Sequence, residues 1–241
     1  MVGTKSEIFS KLEKEILSLQ RFKPLTATSD DAGLAMIRHA FPNSTFPLGA
    51  IHEFFTSENE SSAASFGFIG GIMASLMKSG APSIWVSSTP FIFPPALKSF
   101  GIDPHKIIFV QPKKQKDILW TIEEALKCDG ICTVIGEIGE VSLIESRRLQ
   151  LAVEQSKVTG FIVRRNAKNL ATSFVTRWKI KPLPSAFESS LPGLGFPCWN
   201  VELIKVKNGK PGNWQMMWRN GKFELIKKQI FISEERQRKI V

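Results

Sequence analysis

Residues 53–65, EFFTSENESSAAS, pass from a short apolar stretch through a tight polar turn into a run of small residues. That is the order of strand, turn and helix in which a chain wraps a phosphate. A loop of the form GxxxxGK[ST] does this with three devices. Glycines free the backbone N–H groups to point inward, a lysine neutralises the terminal phosphates, and a hydroxyl holds magnesium. Laid on TSENESSA, the glycine positions fall on Thr56 and Ser61, the lysine position on Ser62 and the hydroxyl position on Ala63. None of the four has the residue the chemistry needs, and Glu58 and Glu60 add negative charge where a polyphosphate would sit. The expectation is a degenerate nucleotide loop with no catalytic residue, no cofactor and no metal.

No other catalytic grouping emerges. His39, His52 and His105 are scattered, and Ser61, Ser62 and Ser142 sit where serines start helices. Cys128, Cys132 and Cys198 are odd in number and lack metal-ligand spacing, which reads as reduced cysteines in a cytoplasmic protein.

Charge is more informative. Residues 1–156 hold 15 Lys/Arg and 17 Asp/Glu, whereas residues 157–241 hold 17 and 5. The whole excess of +10 therefore lies in the C-terminal third, which suggests a polyanion or an acidic protein partner there. Arg164 and Arg165 follow the apolar run TGFIV, at the strand end where parallel α/β sheets place ligands. Lys168 lies in the polar stretch after them, and Arg177, Lys179 and Lys181 alternate along one strand face, with Trp178 pointing the other way into the core. These six are candidate DNA or partner contacts. An edge strand lined with lysine to block sheet-to-sheet pairing would show the same alternation. Arg147 and Arg148, on the helix SLIESRRLQLAVEQ, pair with Glu145 or face a partner. Phe91 and Phe93, in STPFIFPPAL, either dock a partner or are buried beneath the N-terminal helix.

The elements that must position these residues alternate from residue 50 onward. Strands are expected at 50–55, 83–87, 106–110, 131–136 and 159–163, and helices at 61–79, 94–100, 114–127 and 142–156. The strands are continuously apolar, which implies burial on both faces and a parallel sheet between helices. SLIE at 142–145 is a capping box, and Gly67, Gly70 and Gly71 let their helix approach the sheet closely. After residue 170 the pattern reads as antiparallel strands with hairpin turns at NGKPG and RNGK. An amphipathic N-terminal helix over 5–22 and its connector form one region (1–44), the α/β core a second (45–226) and a basic tail a third (227–241). No apolar run reaches membrane-spanning length.

STFPLGAIHEFFTSENESSAASFGFIGGIM and SIWVSSTPFIFPPALKSFGIDPHKIIFVQP together resemble the stretch of RecA-type recombinases that enters and follows their phosphate loop. In that comparison the catalytic glutamate falls within Ser87–Thr89, opposite Thr89, and the metal-associated aspartate on Gly136 or Glu137. CDGICTVIGEIGEVSLIESRRLQLAVEQSKVTGFIVRRN, TRWKIKPLPS and GFPCWNVELIKVKNGKPGNWQMMW are similar to the ImuA family of RecA/SulA-like accessory proteins, over about residues 45–226. The resemblance implies a RecA-like, mostly parallel sheet flanked by helices, with an antiparallel extension on its C-terminal side. It also implies a bacterial, non-catalytic role in SOS-induced translesion synthesis, beside an ImuB-like polymerase-like protein and an error-prone DNA polymerase. RecA and single-stranded DNA are further candidate partners. An ATPase or recombinase with a non-standard site, and a SulA-like cell-division inhibitor, are the competing expectations.

Overall fold

The computed structural model describes residues 32–89, 92–168, 171–186 and 195–226. The expected N-terminal helix, the basic tail and Phe91 lie outside them. Nine strands form one sheet in the order β3-β2-β4-β5-β1-β6-β7-β8-β9. The parallel part comprises β1 (Ile51–Thr56), β2 (Ser83–Val86), β3 (Ile107–Val110), β4 (Thr133–Ile138) and β5 (Thr159–Arg165). β6 (Thr176–Ala186) pairs parallel with β1 on one edge and antiparallel with β7 (Phe196–Val206) on the other. β8 (Gly212–Arg219) and β9 (Lys222–Leu225) continue the antiparallel half. The reading of β6 as simply antiparallel is corrected here. It is the junction between the two halves, because its first residues complete the hydrogen bonding of β1.

Helix α1 (Asn59–Leu76) covers one face of the sheet, and α2 (Gln115–Leu126) and α3 (Leu143–Ser156) cover the other. α1 is apolar nearly all round because Phe68, Ile69, Ile72 and Met73 are all packed inside. It closes on the antiparallel half at Gly71, where an added Cβ would stand 2.4 Å from Phe223 and 2.9 Å from Trp218. α3 starts at the expected capping box: the Ser142 backbone N–H donates to Glu145 Oε2 at 2.8 Å, and the Glu145 N–H donates to Ser142 Oγ at 3.2 Å. These bonds hold the Glu145 carboxyl below its ordinary range. The expected helix at 94–100 is a 3-10 turn, opened by Pro94 and Pro95. The β8–β9 turn has positive φ at both Asn220 and Gly221, as a two-residue hairpin in a twisted sheet requires.

Residues before β1 also enter the core. Leu34, Ile37 and Phe41 are buried, and Phe46 stacks on His52 with ring centres 4.3 Å apart. His52 is wholly enclosed. Its Nε2 lies 2.9 Å from the Pro47 carbonyl and its Nδ1 2.8 Å from Thr176 Oγ1, which itself accepts from Trp178 Nε1 at 2.7 Å. That chain is satisfied by a neutral ring, with Nε2–H donating and Nδ1 accepting. Burial drives the His52 pKa down to about 3.

Candidate functional site

At the carboxyl end of β1 the chain turns through Ser57 and Glu58 into α1. Glu58 caps the helix through its backbone only, and Glu58, Asn59 and Glu60 are exposed. The four positions a phosphate loop would use are spread along this path. Thr56 ends β1 and is buried, and its Oγ1 has no hydrogen-bond partner among the described residues. Ser61 and Ser62 are also buried. Ser62 Oγ donates to the Glu58 carbonyl at 3.1 Å, so its hydroxyl is used within the first turn of the helix. Ala63 faces solvent.

Beside this turn, β1, β5 and β6 bring three charges together. Glu53 is fully buried and accepts from Arg164 Nη1 at 2.8 Å, from Arg177 Nε at 2.9 Å and from Thr172 Oγ1 at 3.1 Å. Arg164 is 0 % exposed. Its Nε donates to the Gly139 carbonyl at 3.1 Å and its Nη2 to Glu140 Oε2 at 2.9 Å. Glu140 also accepts from the Lys168 backbone N–H at 2.6 Å, so the segments after β4 and after β5 are tied to one carboxylate. The Arg164 and Arg177 guanidinium carbons lie 5.3 and 5.2 Å from the centre of the Phe55 ring.

This placement corrects the expected cationic surface. β5 extends through Arg165 because β4 and β1 pair with it on both sides, Ile138 opposite Arg164 and Thr56 opposite Arg165. Arg164 therefore lies inside the sheet and is spent on two carboxylates, with no surface left for a phosphate. Arg177 is mostly enclosed by the same network. Arg165 is partly exposed and reaches Glu137 at 3.5 Å. Lys168, after β5, and Lys181 are exposed and Lys179 is half-buried; Lys179 and Lys181 lie on the sheet face opposite α1, since Trp178 and Ile180 pack into the α1-side core. Lys205 on β7 shares that face and donates to the Thr172 carbonyl at 3.1 Å. Burial, aided by the neighbouring Arg177, depresses its pKa.

The positions that the resemblance sets against recombinase acids lie at the ends of β2 and β4. Ser87, after β2, donates to the Thr89 carbonyl at 2.6 Å. Glu137, in β4, accepts from Trp85 Nε1 at 2.9 Å. Burial raises the Glu137 pKa, against the opposing pull of the Trp85 and Arg165 donors.

Two outer surfaces complete the picture. Arg147 and Arg148 lie on the exposed side of α3, where Arg148 pairs with Glu123 of α2 and its charge also helps to lower the Glu145 carboxyl. Leu143, in the first turn of α3, is exposed. With Ile144 (76 % exposed), Leu151 and Trp120 of α2 (62 % exposed) it leaves an apolar surface beside the two arginines. Sequence reasoning missed Trp120, although a tryptophan opposite Ile118 and Ile122 on one helix was the available signal. Phe93 is 70 % exposed, at the mouth of an apolar groove of about 560 Å³ between α1, the 94–100 turn and the β6–β7 end.

Among the described residues no group of His, Cys, Asp or Glu is arranged to hold a metal ion, and no helix is long and apolar enough to cross a membrane. The sheet order, the helix on either side and the turn after β1 make this a RecA-like fold. It superposes on the crystal structure of the RadB recombinase with a TM-score of 0.56 at 10 % identity, over 83 % of this chain and 100 % of that one. No protein-family model matches the chain. Protein ImuA of Caulobacter vibrioides, in two strains, is 30 % identical over 195 residues, covering 76 % of this chain and 80 % of that protein. The chain belongs to the ImuA family.

Proposed function

We propose that this chain is a non-catalytic, RecA-like accessory protein of DNA-damage-induced mutagenesis, working by contact with an ImuB-like partner, an error-prone polymerase and RecA. One observation carries the non-catalytic part. At the helix start that would hold phosphate, Ser62 stands in the lysine position and its hydroxyl is turned into its own helix, while Glu58 and Glu60 face the approach. A helix N-terminus favours anions, but two carboxylates on its first turn take up that preference. Family membership supports the cellular role.

Contact surfaces follow from exposure. Arg147, Arg148 and the apolar residues around them form one docking face, and Phe93 with its groove a second. Lys168, Lys179 and Lys181 form the surface for single-stranded DNA.

The test has two arms. Deleting the gene should abolish the damage-induced rise in mutation frequency without lowering survival of undamaged cells, and a tagged protein from damaged cells should recover the polymerase-like partner. A fluorescent ATP analogue with excess magnesium should not bind saturably. Nucleotide turnover, or recovery of a cell-division protein instead, would overturn the proposal.

A further inference from the structure

A smaller cavity, of about 230 Å³, opens at the carboxyl ends of β2, β3 and β4. Its place in the topology is specific. β2 sends its chain out over the α1 face through the 94–100 turn, while its neighbour β4 sends its chain out over the opposite face into α3. Adjacent strands whose connections part in this way leave a crevice between them, where open α/β sheets bind ligands. The volume lies below the ~300–1,000 Å³ of cavities that take drug-sized molecules, so the site suits one ring system and not a whole nucleotide.

The walls narrow the chemistry further. Trp85 and Phe109 supply aromatic surface, and Ile92 and Pro94 supply apolar surface from the facing turn. Phe109 is partly exposed, on the outer strand β3, with its ring 6.5 Å from that of Trp85. One buried carboxylate, Glu137, faces the space, with Ser87 and Gln111 at its edge. Trp85 Nε1 and Arg165 Nη2 fix the carboxylate, one on each oxygen. The Ser87 hydroxyl also lies beside the carboxylate, but its one proton goes to the Thr89 carbonyl, so the two oxygens keep acceptor positions toward the cavity.

We propose that this cavity binds a single guanine base. A fixed carboxylate presents two adjacent acceptors. Guanine alone among the DNA bases presents two adjacent donors, its ring N1–H and exocyclic amino group, on one edge. Adenine and cytosine place an acceptor nitrogen beside the amino group, and thymine flanks its one N–H with carbonyls. Unpaired bases are commonly held in this way, stacked on aromatic side chains and read along the pairing edge. The base could belong to a DNA strand or to a free nucleotide.

The Trp85 indole N–H reports directly on the cavity. In ¹⁵N-labelled protein its cross-peak, assigned with Trp85→Phe, should shift and saturate on titration with deoxyguanosine. Deoxyadenosine and thymidine should bind at least ~10-fold more weakly, and so should deoxyguanosine to Glu137→Gln, as loss of a charged hydrogen-bond acceptor predicts. Glu137→Gln keeps an oxygen for Trp85. Should that variant fail to fold, Phe109→Ala removes stacking surface from an outer strand and should weaken binding in the same direction. Comparing guanosine monophosphate with an oligothymidylate carrying one dG then assigns the source to whichever binds more tightly. No movement of the Trp85 peak at the solubility limit would overturn the proposal, as would equal affinity for deoxyadenosine or unchanged affinity in both variants. The readout needs no protein partner, so its failure leaves the accessory role standing.

Discussion

Arg164 and Glu53 lie 111 residues apart in sequence and meet at 2.8 Å with both side chains fully enclosed. Neither charge could be buried there without ion partners, and the pair is held by strands on both sides. Replacing Arg164 with alanine leaves Glu53 with Arg177 and Thr172 but strips its closest cation. Breaking a buried pair by removing one member costs about 3–5 kcal/mol. Urea unfolding should show that loss, and Arg164→Lys should recover little of it, because lysine cannot also reach Glu140 and the Gly139 carbonyl. A loss under 1 kcal/mol, order of magnitude, would mean that the pair is solvated.

His52 sets a pH dependence whose sign is fixed by its environment. The folded pKa, about 3, lies below the ordinary 6.5, so between these values the unfolded chain binds the extra proton. Stability should therefore be constant above pH 6.5 and fall as the pH drops through the window. Each unit of pH within it costs about 1.4 kcal/mol. His52→Gln should lower stability at neutral pH but flatten this slope. An equal slope in the variant would assign the acid sensitivity to other groups.

Gly71 is set by contact and not by helix propensity. Alanine favours a helix by up to ~1 kcal/mol over glycine, but here its methyl group would press into Phe223 and Trp218. Gly71→Ala should be net destabilising by about 1–3 kcal/mol, the usual cost of overpacking. Gly130→Ala, where nothing lies within 4 Å, should be close to neutral. A stabilising Gly71→Ala in thermal melts would show that α1 can move away from the sheet.

Lys179 and Lys181 test the nucleic-acid surface. If each contacts a phosphate of single-stranded DNA, replacing both with alanine should reduce the log–log salt slope by about 1.4, at ~0.7 per contact. Fluorescence anisotropy across a salt series measures it. An unchanged slope would remove this face from the DNA path. Arg164→Ala is not a test of DNA contact, since that side chain has no exposed surface.

The local features were legible in the sequence. Apolar runs gave the five parallel strands, and the Ser142–Glu145 spacing gave the start of α3, because neighbours in the chain decide both. The end of β5 was not legible. Two arginines read as a loop until Glu53 from β1, and Glu137 and Glu140 from the end of β4 and just beyond it, give them partners inside the sheet. Reading Arg164 as a surface cation failed for that reason. The proposed docking face was half visible: Arg147 and Arg148 stood out, but the exposure of Trp120 and Ile144 depends on how α2 and α3 lie together. The passage from β1 through a polar turn into α1 was the clearest signal of all, because a short apolar run followed by small residues is read without any knowledge of packing.

The central position of β1, hydrogen-bonded to β5 on one side and β6 on the other, has a consequence for biosynthesis. Among the described strands β1 is made first and waits for both neighbours until β5 and β6 follow, so Glu53 emerges long before Arg164 and Arg177. Late, long-range closure of this kind makes maturation slow and leaves apolar surface open meanwhile. Synthesis would thus yield working copies only after a lag set by the chain's own connectivity.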